Sequence, residues 1–191
     1  NCATGSLKLS IDKTSPSVMA SMLPAPNSEG WNNSNVTVSY VCSDGLSGVS
    51  ECPNPSSVTS DGANQAITAA STDLADNSST SLSTVNIDKT PPVINSLHLS
   101  RMFMLFFQPI TINAAVSDNL SGISSQNPGE FFVDNDPGVG NATPMNYSNG
   151  TLTATVTQNP GRGLHLVQVR TQDKAGNWSS NRTAYMFVLL F

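Results

Sequence analysis

The sequence predicts an all-β fold built from two tandem copies of one strand-rich module, spread over 191 residues. Three observations carry this expectation. Apolar residues recur with period two, and no window holds a helical stripe. Gly, Pro, Asn and Asp punctuate those runs as turn residues do. Three separate motifs return later in the chain in the same order.

The repeats set the frame for the individual elements. SIDKTSPSV at residues 10–18 returns as NIDKTPPVI at 86–94. VCSDGLSGVSE at 41–51 returns as VSDNLSGISSQ at 116–126, aligning Asp44 with Asp118. TAASTDLADNSS at 68–79 returns as VRTQDKAGNWSS at 169–180, aligning Asp73 with Asp173. Residues 1–11 then read as an N-terminal strand or the end of a preceding module. Residues 12–88 form the first domain and 89–191 the second, which carries about 26 extra residues between its middle and last motifs. In chain order, Val36, Val38 and Tyr40 alternate with Thr37 and Ser39, the pattern of a half-buried strand. Ile110, Ile112, Ala114 and Val116 repeat that pattern in the second module, followed by Leu152, Ala154 and Val156, then His165, Val167 and Val169. Pro53–Pro55, Asp61-Gly62, Asn149-Gly150 and Asn159–Gly161 supply turns between them. Many short strands with frequent turns indicate a sandwich or barrel.

Composition narrows the class. Only 11% of residues are charged, against roughly 25% in ordinary soluble domains. That excludes a highly charged disordered chain and a coiled coil. Eight scattered basic residues in a chain of net charge −5 exclude a nucleic-acid interface, which needs a clustered basic face. The apolar run Met102 to Phe107 is far too short to span a bilayer. Of the three cysteines, Cys42 and Cys52 would close a short loop, and neither sits in a zinc or redox spacing. A disulfide is the expectation, implying an oxidising, extracytoplasmic compartment; two buried free thiols are the alternative. Cys2 is then free or bonded outside this segment. Ser, Thr and Asn fill 65 positions, and sequons fall at Asn32, Asn35, Asn77, Asn119, Asn141, Asn146, Asn149, Asn177 and Asn181. Such a surface suits glycosylation or exposure to an extracellular matrix.

The motifs IDKTxP, SDxLSGV/I and GxHxVxVxxxDxAGNWS resemble those of bacterial immunoglobulin-like repeat modules, found in tandem in surface adhesins, large secreted proteins and extracellular enzymes. The resemblance covers nearly the whole chain. It implies two tandem immunoglobulin-like Greek-key β-sandwich domains of about seven strands each, with IDKTxP as the linker joining them. Module one departs from the pattern, with DLADN at 73–77 where module two has DKAGN at 173–177. Residues 100–109 also differ from the Gly- and Trp-containing turn seen at 29–31.

The chemical inventory is thin. His165 reads as a satisfied, half-buried strand residue and His98 lies in an opening strand, with no nucleophile motif near either. Asp134 and Asp136 in VDNDPG read as a solvated turn in preference to a glycosidase pair. No enzyme is expected. Calcium requires six to eight oxygens from carboxylates, amides and carbonyls. Linker Asp88 and loop residues Asp118, Asp173 and Asn177, all at strand ends, form a candidate calcium set. The open alternative is that they only nucleate turns through their own backbone. Met102, Phe103, Met104, Phe106 and Phe107, with Phe187 and Leu189 in the last strand, form a candidate interface. Equally open is a strand buried on both faces beneath the module-two insertion, through Phe131 and Phe132.

The expected function is that of a non-enzymatic structural or adhesive segment of a secreted or cell-surface protein. It would be a stalk, sheath, S-layer or filament subunit whose partners are neighbouring modules, identical subunits, or a surface glycan or protein. The alternatives are a carbohydrate- or protein-binding accessory region of an extracellular enzyme, and a virion decoration or fibre domain.

Overall fold

The computed structural model describes residues 5, 9–105, 108–157 and 160–189, with backbone alone at 104 and 105. Every element among them is a strand. The chain divides into two compact units: Asn1–Ala25, Asn35–Ser60 and Asn64–Val85 in the first, and Pro26–Ser34, Asp61–Ala63 and Asn86–Phe191 in the second. Each is a two-sheet immunoglobulin-like sandwich.

The first six strands are β1 (Ser17–Leu23), β2 (Val36–Ser43), β3 (Val49–Glu51), β4 (Ser56–Val58), β5 (Gly62–Asp73) and β6 (Ser78–Ile87). They form sheets of order β1-β2-β4 and β3-β5-β6. Alternation in β2 buries Val36 and Val38 completely, as the period-two pattern requires. Val58, Ala69 and Val85 complete a core of small side chains, and among the described residues of unit 1 no aromatic ring is buried. So light a core gains from a covalent clip. The Cys42–Cys52 disulfide supplies it, with the two Cα atoms 5.8 Å apart.

Unit 2 is larger. It holds β7 (Val93–Leu99), β8 (Phe103–Leu105), β9 (Ile110–Ser117), β10 (Gly129–Val133), β11 (Thr143–Pro144), β12 (Asn146–Ser148), β13 (Thr151–Val156), β14 (Gly163–Thr171) and β15 (Arg182–Leu189). Its sheets have the orders β12-β13-β9-β7 and β11-β10-β14-β15-β8. Because β9 neighbours β13 and β10 neighbours β14, the chain must cross between sheets, as a Greek key does. Ile110, Ile112, Ala114, Leu152 and Val156 from one sheet share the core with Val167, Val169, Met186 and Val188 from the other. Full burial of each such aliphatic side chain contributes roughly 1.5–3 kcal/mol. At Gly129 a Cβ would lie 2.5 Å from Leu152 Cδ1 and 2.8 Å from the Arg170 carbonyl, so the close approach admits no side chain. Asn149 and Gly150, at φ 48° and 77°, make the tight turn between β12 and β13.

The outer face of the five-stranded sheet is divided in two. At one end, the Arg170 guanidinium lies over the Phe132 ring at 5.1 Å and pairs with Glu130 and Asp136. Glu130 in turn accepts the Gly140 and Ala142 amides, both at 2.9 Å. These bonds pin the inserted 134–142 loop over that end. At the other end, β8 runs parallel to β15, pairing Phe103 with Phe187 and Leu105 with Leu189. There Met102 is 64% and Phe103 55% exposed, so the reading that the insertion buries this segment is corrected. Phe131 and Phe132 are buried but spend that burial beneath their own loop and in the core.

Candidate metal centre

Asp88, Asp118 and Asp173 converge in unit 2: one carboxylate oxygen from each lies within 4.8 Å of the others. Asp88 follows β6, Asp118 follows β9 and Asp173 follows β14. Each is held by local backbone. Asp88 accepts the Thr90 amide on Oδ1 at 3.0 Å and the Ser121 amide on Oδ2 at 3.0 Å. Its own N–H donates to the Asn32 carbonyl at 2.9 Å. Asp118 Oδ2 accepts the Leu120 and Gly122 amides at 3.0 and 2.8 Å, the fold of an Asx turn. Asp173 Oδ1 accepts the Asn177 amide at 2.8 Å, and Oδ2 accepts Asn177 Nδ2 at 2.8 Å. That same Nδ2 reaches the Asp88 carbonyl at 2.9 Å. Asn177, one of the four expected calcium residues, therefore ties the linker to the loop and orients Asp173.

Unit 1 repeats the main backbone and Asn donors of this arrangement, with an added Ala75 amide bond to Asp73. Asp12, Asp44 and Asp73 form a second cluster with the same spacing limit. Asp12 accepts the Thr14 and Ser47 amides, as Asp88 accepts those of Thr90 and Ser121. Asp44 Oδ1 accepts Leu46 and Gly48, as Asp118 accepts Leu120 and Gly122. Asn77 donates its amide and its Nδ2 to Asp73, both at 2.8 Å, and Nδ2 also approaches the Asp12 carbonyl at 3.4 Å. Sequence reasoning did not name this second set, although the alignment of Asp44 with Asp118 and Asp73 with Asp173 was already its signal. The departure at DLADN proves conformationally silent: Asp76, at φ 67°, occupies the left-handed position that Gly176 takes at φ 95°. Asp is among the few non-glycine residues that tolerate it.

The described ion pairs of unit 2 lie outside its carboxylate cluster. Asp88 and Asp173 are buried, at 0% and 1% exposure, and the ion pairs of this unit engage Asp61, Glu130, Asp134 and Asp136 instead. Burial pushes the Asp173 carboxyl above its ordinary value against the Asn177 bonds, and the Asp88 and Asp118 charges push the same way. In unit 1 burial also pushes Asp73 up, but the Asn77 and Ala75 bonds outweigh it and hold the carboxyl below the usual range. Asp12 is held low by the Thr14 and Ser47 bonds. Two buried polar atoms lack hydrogen-bond partners beside these clusters: the Oδ2 of Asp44 and the Oγ of Ser121, whose amide holds Asp88. Donors made only of oxygen suit a hard divalent cation such as calcium, and waters or carbonyls would complete its shell.

The other candidate residues separate. Asp134 Oδ2 bonds His165 Nδ1 at 2.7 Å, while Asp136 pairs with Arg170, so the two carboxylates take different partners. The His165 bond holds Asp134 low, and the Arg170 bond does the same for Asp136. His98 lies exposed on β7. Asn32 is buried, and the half-buried Asn77 and Asn177 donate their side-chain amides to aspartates. Of the interface candidates, Met102 and Phe103 are exposed, and Phe187 and Leu189 are half-buried. Phe106, Phe107 and the Met104 side chain lie outside the described residues.

No protein-family model and no curated protein matches the chain. Among solved structures, it is similar to the fibronectin(III)-like modules of Clostridium thermocellum CbhA, at 14% identity, over 89% of this chain and 94% of that one, with a TM-score of 0.45. It is also similar to the N-terminal eight Ig domains of Down Syndrome Cell Adhesion Molecule isoform 1.30.30, at 13% identity and a TM-score of 0.40. That match covers 90% of this chain and 24% of the other, so the chain spans about a quarter of its length.

Proposed function

We propose that this chain is a non-enzymatic structural segment of a secreted or cell-surface protein, each of whose sandwiches is locked by a bound calcium ion. The observation that carries the reading is the duplication of one three-carboxylate arrangement, with the same backbone donors, in both units. In each, the first aspartate precedes the strands of its module and the other two sit on end loops. A cation there would join the leading segment to those loops and relieve the repulsion among the carboxylates. The disulfide supports an oxidising location. The work of such a chain is mechanical: sheet ladders and ion-clamped ends in place of a reaction centre.

Calorimetric titration of the metal-stripped chain with calcium tests this. The expected stoichiometry is two ions per chain, falling to one in Asp44→Asn and in Asp118→Asn and to zero in the double variant. Absence of binding up to about 10 mM calcium, with melting unchanged by chelator, would leave the aspartates as turn formers and refute the proposal.

A further inference from the structure

We infer that the open half of the outer face of the five-stranded sheet in unit 2 is a pairing surface for a second copy of this chain. Five side chains converge there: Met102, Phe103, Leu164, Tyr185 and Phe187 line one shallow apolar depression. Met102, Phe103, Leu164 and Tyr185 are 64%, 55%, 61% and 58% exposed. Phe103 and Phe187 stack edge to face, with ring centroids 6.2 Å apart, which stiffens the patch before any partner arrives. Leu166, 37% exposed, extends it along β14.

Area and chemistry favour a like partner. At such exposures these side chains leave roughly 500 Å² of mostly apolar surface open, near the upper range for a lone soluble protein. Two copies apposed about a two-fold axis would bury roughly 1,000 Å², the threshold for a specific if weak interface. Met and aromatic residues are those enriched in such contacts. None of the five lining side chains carries a charge at neutral pH, so the patch placed on itself strands no ion in a dry interface. A charged partner surface would have to be desolvated against it. Arg101, at the rim, is hydrogen-bonded to Gln108. The adjacent half of the face is sealed by the pinned 134–142 loop, which bounds the patch on that side. β8, at the end of the sheet order, carries no Lys or Pro to blunt it.

Analytical ultracentrifugation of the 191-residue chain from about 1 µM to 1 mM tests the pairing. A Cys2→Ser background prevents intermolecular disulfides from mimicking it, and runs in calcium and in chelator separate it from metal binding. A reversible dimer is expected with a dissociation constant of tens to hundreds of micromolar, the range of small interfaces. Leu164→Lys and Tyr185→Lys, at exposed positions, should each weaken it at least tenfold with melting unchanged, while Leu82→Lys on unit 1 should not. Should a lysine variant melt early, Leu164→Ser and Tyr185→Ser carry the same comparison. A wild-type chain that remains monomeric at 1 mM overturns the inference and leaves the patch to an unlike partner. A dimer indifferent to the patch variants overturns it as well.

Discussion

Replacing Asp118 by Asn reverses the sign of a stability change according to whether calcium is present. Like charges 4.8 Å apart, the outer limit of the cluster, repel by about 3 kcal/mol at an effective dielectric of 20. Asp118 is partly exposed, so solvent screening reduces the relief from neutralising it to about 1 kcal/mol. Its turn survives, because one amide oxygen can still accept the Leu120 and Gly122 amides that now share Oδ2. In chelator, Asp118→Asn should therefore melt about 4 °C higher than the parent in the unit 2 transition. At calcium a hundredfold above the dissociation constant, the parent gains about 2.7 kcal/mol and the variant much less, so the order inverts. Differential scanning calorimetry in both buffers reads both signs. Acidity supplies an independent arm. Asp173 has a raised folded-state value, so the folded chain holds that proton more tightly than the unfolded one. Without calcium, this group's contribution to stability rises as pH falls through the raised value toward 3.8. With calcium, protons compete for the same carboxylate and the ion's stabilisation shrinks over that window. A variant that loses the same stability in both buffers would show that Asp118 only shapes a turn, and would refute the electrostatic reasoning.

Two further substitutions probe the scaffold. Removing the Cys42–Cys52 bond by a double Ser replacement should cost unit 1 roughly 2–3 kcal/mol of loop-closure stabilisation in denaturant melts, a loss that reductant reproduces in the parent chain. Arg170→Ala leaves the Glu130 carboxylate, 4% exposed, buried without its cation and should cost about 3–5 kcal/mol. Asp136→Ala removes a largely exposed, solvent-screened partner of the same arginine and should cost far less. Equal losses from these two would contradict the assignment of Glu130 as the buried partner.

Period-two alternation made the inner faces readable in advance, because a buried strand face admits only apolar side chains at every second position. Ile110, Ile112, Leu152, Val156, Val167 and Val169 all lie where alternation predicts, in the core of unit 2. The unit 2 aspartates were legible for a different reason. Asx turns demand Asp at fixed offsets from Gly and Asn, so their spacing repeats when the module does. Their counterparts in unit 1 were harder to see because Gly and Asp are interchangeable at one left-handed residue, an equivalence of backbone conformation that letters do not display. Nor did the insertion announce its partner. Arg170 stands where alternation with Val167 and Val169 predicts an outward side chain, and only the fold shows Glu130 and Asp136 closing around it. The assignment of residues 26–34 to unit 2 likewise rests on long-range bonds. Glu29 accepts from the Ser124 and Ser125 hydroxyls and the Ser125 amide, with no local pattern to mark it.

The parallel pairing of β8 with β15 has a consequence under tension. A pull that reaches β8 from its leading side, by way of β7, and β15 from its trailing side loads this pair along its length. Because the strands run in the same direction, that pull slides one along the other. Their hydrogen bonds then lie across the line of force and must fail nearly together, whereas an antiparallel pair opened from its end unzips one bond at a time. The Phe187 amide bound to the Met102 carbonyl and the interlocked Phe103 and Phe187 rings add to the group that must give way at once. Three paired positions make a short clasp. Rupture force, more than melting temperature, is the property this strand order governs.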